Sequence, residues 1–289
     1  MNNDMRVVFV ILHYQNVEVT IDSVQYLLKL NGIKNHNIVI VDNASPNGSG
    51  DILEKKYANA DSVIVLKTDH NGGFAYGNNF GYKYAKKELK ADIICVMNSD
   101  VFIKNTEFIV ELLKYADRNK SVGIVAPDIV IKNGYHQNPY MLSAINTRKQ
   151  KEIVLKKQIG LVLYSIPILN SILINRKSVR NFEPNKKDKV KERISGIVPH
   201  GACLIYMPEW VKKEDKAFVD GTFLFVEEEL LFDYCAENGY LVTYEPDFVV
   251  FHMEDSSQDA INSSFLQKKR NQMKYEIASR KLLISLRKS

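Results

Sequence analysis

The stretch IICVMNSDVFI, residues 93–103, decides how the chain is read. Ile93 to Met97 has the composition of a buried strand. The apolar run stops at Asn98-Ser99-Asp100 and resumes at Val101. An aspartate at a strand end opens a turn, or it holds a metal or a substrate at the carboxyl edge of a sheet. The flanking sequence bears on the choice, because the same break recurs. Residues 6–12 form an apolar run that ends in His13-Tyr14, residues 37–41 end in Asp42-Asn43, and residues 62–67 lead to Asn71. Helical spacing separates these runs at residues 19–29, at about 51–57 and from the glycine-rich segment to about 89. Four strand–helix alternations at short intervals predict a Rossmann-like α/β sheet, mainly parallel and flanked by helices. Ligands of such sheets bind beyond the carboxyl ends of the strands. His13, Tyr14, Asp42, Asn43, Asn71, Asn98, Ser99 and Asp100 all fall at such ends.

A chain of 289 residues buries a sizeable core, as one large domain or as one domain with an appendage. The net charge of +5 is modest, so its distribution matters more than its size. Cys95, Cys203 and Cys235 have no paired spacing, which points to reduced thiols in a cytosolic setting and away from a disulfide frame or zinc site. The first residues run directly into a strand, with no basic lead or cleavage site of a signal peptide.

Two strand ends invite chemistry of their own. Asp42 is placed to accept from a planar ring N–H or a ribose hydroxyl, or simply to make an Asx turn. NGGFAYGNNFG, residues 71–81, carries Gly72, Gly73, Gly77 and Gly81 beside Asn71, Asn78 and Asn79. Glycines at a helix start let the backbone approach a phosphate. The segment matches neither a Walker loop nor G-x-G-x-x-G. A plain turn and helix cap is the simpler reading, and the density of Gly and Asn weighs against it.

Asn98-Ser99-Asp100 resembles the acidic D-x-D signature that closes a strand in GT-A fold glycosyltransferases. VVFVILHYQN, IVIVDNAS, NGGFAYGNNFG and ICVMNSD follow in the order and at the intervals of glycosyltransferase family 2, in particular its rhamnosyltransferase-like members. The resemblance is dense over residues 6–102, resumes over 196–252 and is absent between about 135 and 195. It implies a catalytic unit over residues 1–260. His13, Tyr14, Asp42, Asn43, Asn71, Gly73, Asn78, Asn79, Asn98, Ser99 and Gly201 would bind a nucleotide-sugar donor, dTDP- or UDP-linked. Asp100 matches the acid that reaches the metal, and His252 matches the histidine that completes that site, with Mn²⁺ or Mg²⁺ as the ion. FLFVEEELL resembles the acidic helix start that supplies the catalytic base. Glu228 takes the base position and Glu227 its partner, with the register open by one because Glu229 extends the run. Two positions depart from the family pattern. Asn98 stands where an acid is common, and Asn78 lies near a position where relatives carry an arginine.

The implied reaction is an inverting, metal-dependent transfer to a hydroxyl of a glycan or polyprenyl-diphosphate-linked acceptor in cell-surface polysaccharide synthesis. A nucleotidyltransferase is the rival among enzymes, but LHYQNVEVT lacks its basic glycine-rich turn. A nucleotide-sugar-binding protein that has lost catalysis is the rival from another class, and Asn98 favours it. From Arg148 to Arg193, Lys and Arg outnumber Asp and Glu by about three to one. Inside this insertion, about 145–195, residues 158–175 are uncharged between Lys156-Lys157 and Arg176-Lys177. Pro167 and Gly160 weaken a transmembrane reading, so an interfacial segment at an anionic membrane is expected, or else a buried helix with a basic rim. Residues 261–289 read as a basic helical tail. The basic stretches lack the aromatic platform of a single-strand binder, so no nucleic acid is expected. These features together place the protein in the cytoplasm at the inner face of the cell membrane.

Overall fold

In the computed structural model, which describes residues 5–164, 188–253 and 265–287, the sheet grows outward from Val7–His13, β1. Asn37–Asp42 (β2) and Ile93–Asn98 (β4) flank it in parallel, and Val63–Lys67 (β3) lies parallel outside β2. Strict alternation divides β1 between two cores. Val7, Phe9 and Ile11 pack on one side against Val17–Leu27 (α1), Ser49–Tyr57 (α2) and Phe108–Arg118 (α4). Val8 and Val10 pack on the other against Phe74–Lys87, α3. Both faces are covered, which is why these strands read as unbroken apolar runs. Asn16 caps α1, accepting from the Val19 backbone N–H at 3.3 Å.

Beyond β4 the sheet turns mixed. Cys203–Tyr206 (β8) runs antiparallel to β4 and to Val122–Ile131, β6. Leu241–His252 (β9) runs parallel to β6, and the two-residue strands Val101–Phe102 (β5) and Ile194–Ser195 (β7) add to β9 antiparallel. The sequence suggests two short strands over 241–252. They are one strand with a break, where the register jumps from Pro127 opposite Glu245 to Asp128 opposite Val249. Pro246 has no N–H to give the ladder at that point. Helix α4 is absent from the expected elements, although Phe108, Ile109, Leu112, Tyr115 and Ala116 carry helical spacing and are buried.

The insertion begins as a helix, Thr147–Leu163 (α5), capped by Asn146, which accepts from Lys149 N–H at 2.9 Å. Most of the uncharged stretch expected at the membrane lies outside the described residues; its first six residues, 158–163, belong to α5. Phe265–Leu286 (α8) does not form a separate tail. It packs along α5 through Val154, Ile277 and Ile284, and Lys157 pairs with Glu276 instead of facing outward. Pro208–Lys213 (α6) and Glu227–Glu237 (α7) complete the fold. Among the described residues, no helix is long and apolar enough to cross a membrane.

Candidate active site

Register assembles the site. Pairing of β1 with β2 and β4 sets His13 opposite Asp42 and Leu12 opposite Asn98, so three strand ends share one edge. Pairing of Val101 with His252 then brings the last residue of β9 beside Asp100. The Asp100 carbonyl accepts from Met253 N–H at 3.0 Å, and His252 Nε2 lies 3.3 Å from Asp100 Oδ1.

Two cavities open at this edge. The first, of about 360 Å³, is lined from the sheet by Tyr14, Asn43, Asn71, Gly73, Asn98, Ser99 and Asp100. The second, of about 570 Å³, contains Gln137, Tyr140, His200, Gly201, Glu227, Glu228 and His252. Phe74, Asn98, Asp100, Leu224 and Phe225 border both, so the cavities are neighbours. Asn43 fixes the glycine-rich loop, with Nδ2 donating to Asn71 Oδ1 and to the Gly73 carbonyl.

Five expected donor-site residues do not line the first cavity. His13 is fully buried, with its ring nitrogens 2.7 and 2.8 Å from the Thr20 and Ser49 hydroxyls. Burial pulls its pKa down to about 4 against the opposing pull of Asp42, so it is a neutral link between α1 and α2. Asp42 takes the turn role. It accepts from Ser45 N–H at 3.2 Å and lies against the first turn of α2, where a Cβ on Gly50 would fall 2.0 Å from Oδ2. Asn78 is buried and donates to the Phe74 carbonyl. Asn79 ties α3 to the loop before α7, accepting from Ala217 and Phe218 N–H and donating to the Phe218 carbonyl and Asp220. Gly201 lines the second cavity and not the first.

The glycine-rich loop also departs from a phosphate cradle. Gly73 N–H donates to Asn71 Oδ1, and Phe74 N–H donates to the Phe223 carbonyl at 2.8 Å. Gly73 adopts φ 91°, and a Cβ there would lie 2.2 Å from that carbonyl. The glycine is required by the loop pressed against it.

That loop, residues 221–226, delivers the acids. Phe225 and Val226 are consecutive left-handed residues, φ 77° and 63°. A β-branched residue in this region costs about 1–3 kcal/mol and persists only where its surroundings enforce it. Helix α8 does the enforcing. Tyr275 stacks on Phe223 at 4.3 Å, Ser279 Oγ donates to the Leu224 carbonyl at 2.7 Å, and Leu283 packs with Val226 and Leu230.

The three glutamates separate by environment. Glu229 is buried and structural: Oε2 accepts from Ile145 N–H and Gln150 Nε2, and Arg280 and Arg287 lie within 3.7 and 3.8 Å. Glu228 is partly exposed to the second cavity, and its Oε1 accepts from Gly201 N–H at 3.3 Å. Burial raises its pKa, opposed by backbone hydrogen bonds. Glu227 is 4% exposed and its Oε1 has no hydrogen-bond partner. Burial, then the neighbouring Glu228, pushes it up to about 8.

Asp100 and His252 fit a divalent cation as two of its ligands. His252 Nδ1 donates to Gln137 Oε1 at 2.8 Å, which turns the Nε2 lone pair towards the carboxylate. With the imidazole neutral the two groups are acceptors that could share a cation; with it protonated they form an ion pair directly. Among the described residues no group of three such side chains gathers, so the remaining ligands would come from elsewhere.

Comparison with known proteins places this arrangement. The sequence model described as Glycosyl transferase family 2 matches residues 8–213. The chain belongs to glycosyl transferase family 2. Over 123 residues it is 29% identical to Glycosyltransferase GlyG of Streptococcus pneumoniae serotype 4, a stretch covering 43% of this chain and 37% of that protein. The fold is shared with S. aureus TarS 1–349 solved with UDP-GlcNAc, at TM-score 0.58 and 14% identity over 94% of this chain and 66% of that one. It is shared too with the mannosyltransferase PcManGT of Pyrobaculum calidifontis, solved with GDP-Man and Mn²⁺, at TM-score 0.54 and 12% identity over 97% and 75%. At such identities the likeness is one of fold, and it agrees with the GT-A expectation. Family membership sets the nucleotidyltransferase alternative aside. Nothing in the sequence marks Gln137 or Tyr140, nor the residues of α8 that line the first cavity.

Proposed function

We propose that this protein transfers a sugar from a nucleotide-diphosphate donor to a hydroxyl of a glycan or lipid-linked acceptor, in a single inverting displacement. The observation that carries the reading is Glu228. It faces a cavity that shares Asp100 with its neighbour, and its Oε1 is fixed by Gly201 N–H. The donor occupies the first cavity and the acceptor the second. Glu228 takes the proton of the acceptor hydroxyl as it attacks the anomeric carbon. Its raised pKa makes it a stronger base than a surface glutamate. Glu227, neutral at ordinary pH, orients an acceptor hydroxyl. Asp100 and His252 would hold a divalent cation, Mn²⁺ or Mg²⁺, which when bound would supply Lewis-acid stabilisation of the leaving diphosphate. Support for a UDP-linked donor comes from the UDP-GlcNAc named with TarS, although GDP-Man is named with PcManGT; a dTDP-linked donor rests on the family resemblance alone.

A place on the cytoplasmic face of an anionic membrane, in polysaccharide synthesis, is part of this proposal. Leu155, Ile159 and Val162 lie on one outward face of α5, with Arg148, Lys151 and Lys156 beside them also exposed. The test is a panel of nucleotide sugars, scored for thermal stabilisation and for Mn²⁺-dependent release of nucleoside diphosphate. One donor should raise the melting temperature and turn over; stabilisation without release in any acceptor mixture would instead favour a binding protein.

A further inference from the structure

A nucleoside diphosphate carries two to three negative charges at its leaving end, and apart from a cation at Asp100 and His252 the side chains on the sheet side of the first cavity do little to meet them. Asn98 and Ser99 are neutral and Asp100 is negative. The amides at the start of α3 are already used, Gly73 N–H by Asn71 and Phe74 N–H by Phe223. Asn78 is turned inward to the Phe74 carbonyl. Among the described residues lining this cavity, the one that carries a positive charge is Lys268, on α8. The helix lies beyond residues 8–213, which the family comparison matches.

Helical spacing makes Lys268 part of one stripe. Asn271, Gln272 and Tyr275 follow it at three, four and seven residues, and all three line the same cavity. The stripe continues to Ser279, which holds the Leu224 carbonyl. Tyr275 stacks on Phe223, so the helix is fastened to the loop that carries the glutamates. The position of Lys268 is therefore set by the same contacts that aim the base.

We propose that α8 is the outer wall of the donor site and that Lys268 is the residue that binds the donor's diphosphate. The inference rests on the donor assignment above and adds a binding group to it. It is tested by titrating UDP, dTDP and GDP, each beside its monophosphate, into the full chain and into Lys268→Ala and Lys268→Arg, with Mn²⁺ and with EDTA. Wild type should prefer the diphosphate of its own base. Lys268→Ala should lose about 10- to 100-fold in diphosphate affinity, the span for one charge-assisted contact, with monophosphate affinity changed by less than about threefold. Lys268→Arg should recover most of the loss. An unchanged ratio of diphosphate to monophosphate affinity in Lys268→Ala would overturn the assignment, whether both affinities fell or neither did. A wild type that binds none of the six nucleotides would overturn the donor assignment itself, and this inference with it.

Discussion

Replacing Glu227 by Gln should make the protein more stable and less active, with the gain absent below about pH 4.5 and growing up to about pH 8. The carboxyl is 4% exposed, one oxygen has no partner, and its folded-state pKa stands at about 8 against the usual 4.5. At 1.36 kcal/mol per pH unit, that difference corresponds to roughly 5 kcal/mol as an upper bound. The sign follows from proton counting. Below pH 4.5 the carboxyl is protonated in both states and contributes nothing. Between 4.5 and 8 the unfolded chain ionises and the folded one resists, so stability falls as pH rises, and above 8 the penalty is constant. Glutamine has the same shape and does not ionise, so the variant lacks that slope. Denaturant unfolding of both proteins from pH 4 to 9 measures it. The curves should coincide near pH 4 and diverge to about 2 kcal/mol or more in favour of Glu227→Gln at pH 9. Parallel curves across the range would refute the claim that this acid is held neutral by burial.

Glu228→Gln should lower the rate by roughly 10²- to 10⁴-fold with donor affinity nearly unchanged, whereas Glu229→Gln should show itself as a lower melting temperature, since its carboxylate meets Gln150, Arg280 and Arg287. Retained turnover in Glu228→Gln would move the base elsewhere. Asp100→Ala and His252→Ala should each abolish the Mn²⁺ dependence of donor binding, checked by titrating the metal into donor-saturated protein; an unaltered metal response would remove that residue from the ligand set. Gly73→Ala should disable the enzyme, because its Cβ would fall 2.2 Å from the Phe223 carbonyl at a left-handed φ; wild-type kinetics would show that the loop yields freely. Flotation with anionic vesicles should be salt-sensitive and should weaken when Leu155, Ile159 and Val162 are changed together to serine; binding that survives the change would place the membrane surface elsewhere.

The strand ends were legible because parallel strands covered on both faces are apolar throughout, so any polar break in them stands out. What those polar residues do was less legible. Asn43 and Asn71 face the cavity, while His13 and Asp42, their equals in the sequence, are drawn inward by Thr20, by Ser49 and by the first turn of α2. Neighbours that decide such an orientation lie as far as 36 residues away. The register of the three glutamates is open by one in the sequence, which carries no sign that Gln150, Arg280 and Arg287 engage Glu229. The role of α8 was hidden for a similar reason. Its composition suggests a basic helical tail, yet the stripe from Lys268 to Ser279 makes sense only against Phe223 and Leu224, 45 to 55 residues earlier.

The left-handed pair Phe225–Val226 also bears on when the protein becomes competent during its synthesis. Every strand, the glycine-rich loop and all three glutamates are translated before α8. A nascent chain at that stage holds the sheet edge and the three glutamates, but not the helix that keeps two unfavourable backbone conformations in place. The 221–226 loop is then free to relax, and the acids it carries are unaimed. Until α8 has docked, nothing of Tyr275, Ser279 or Leu283 is there to hold the shape of that loop.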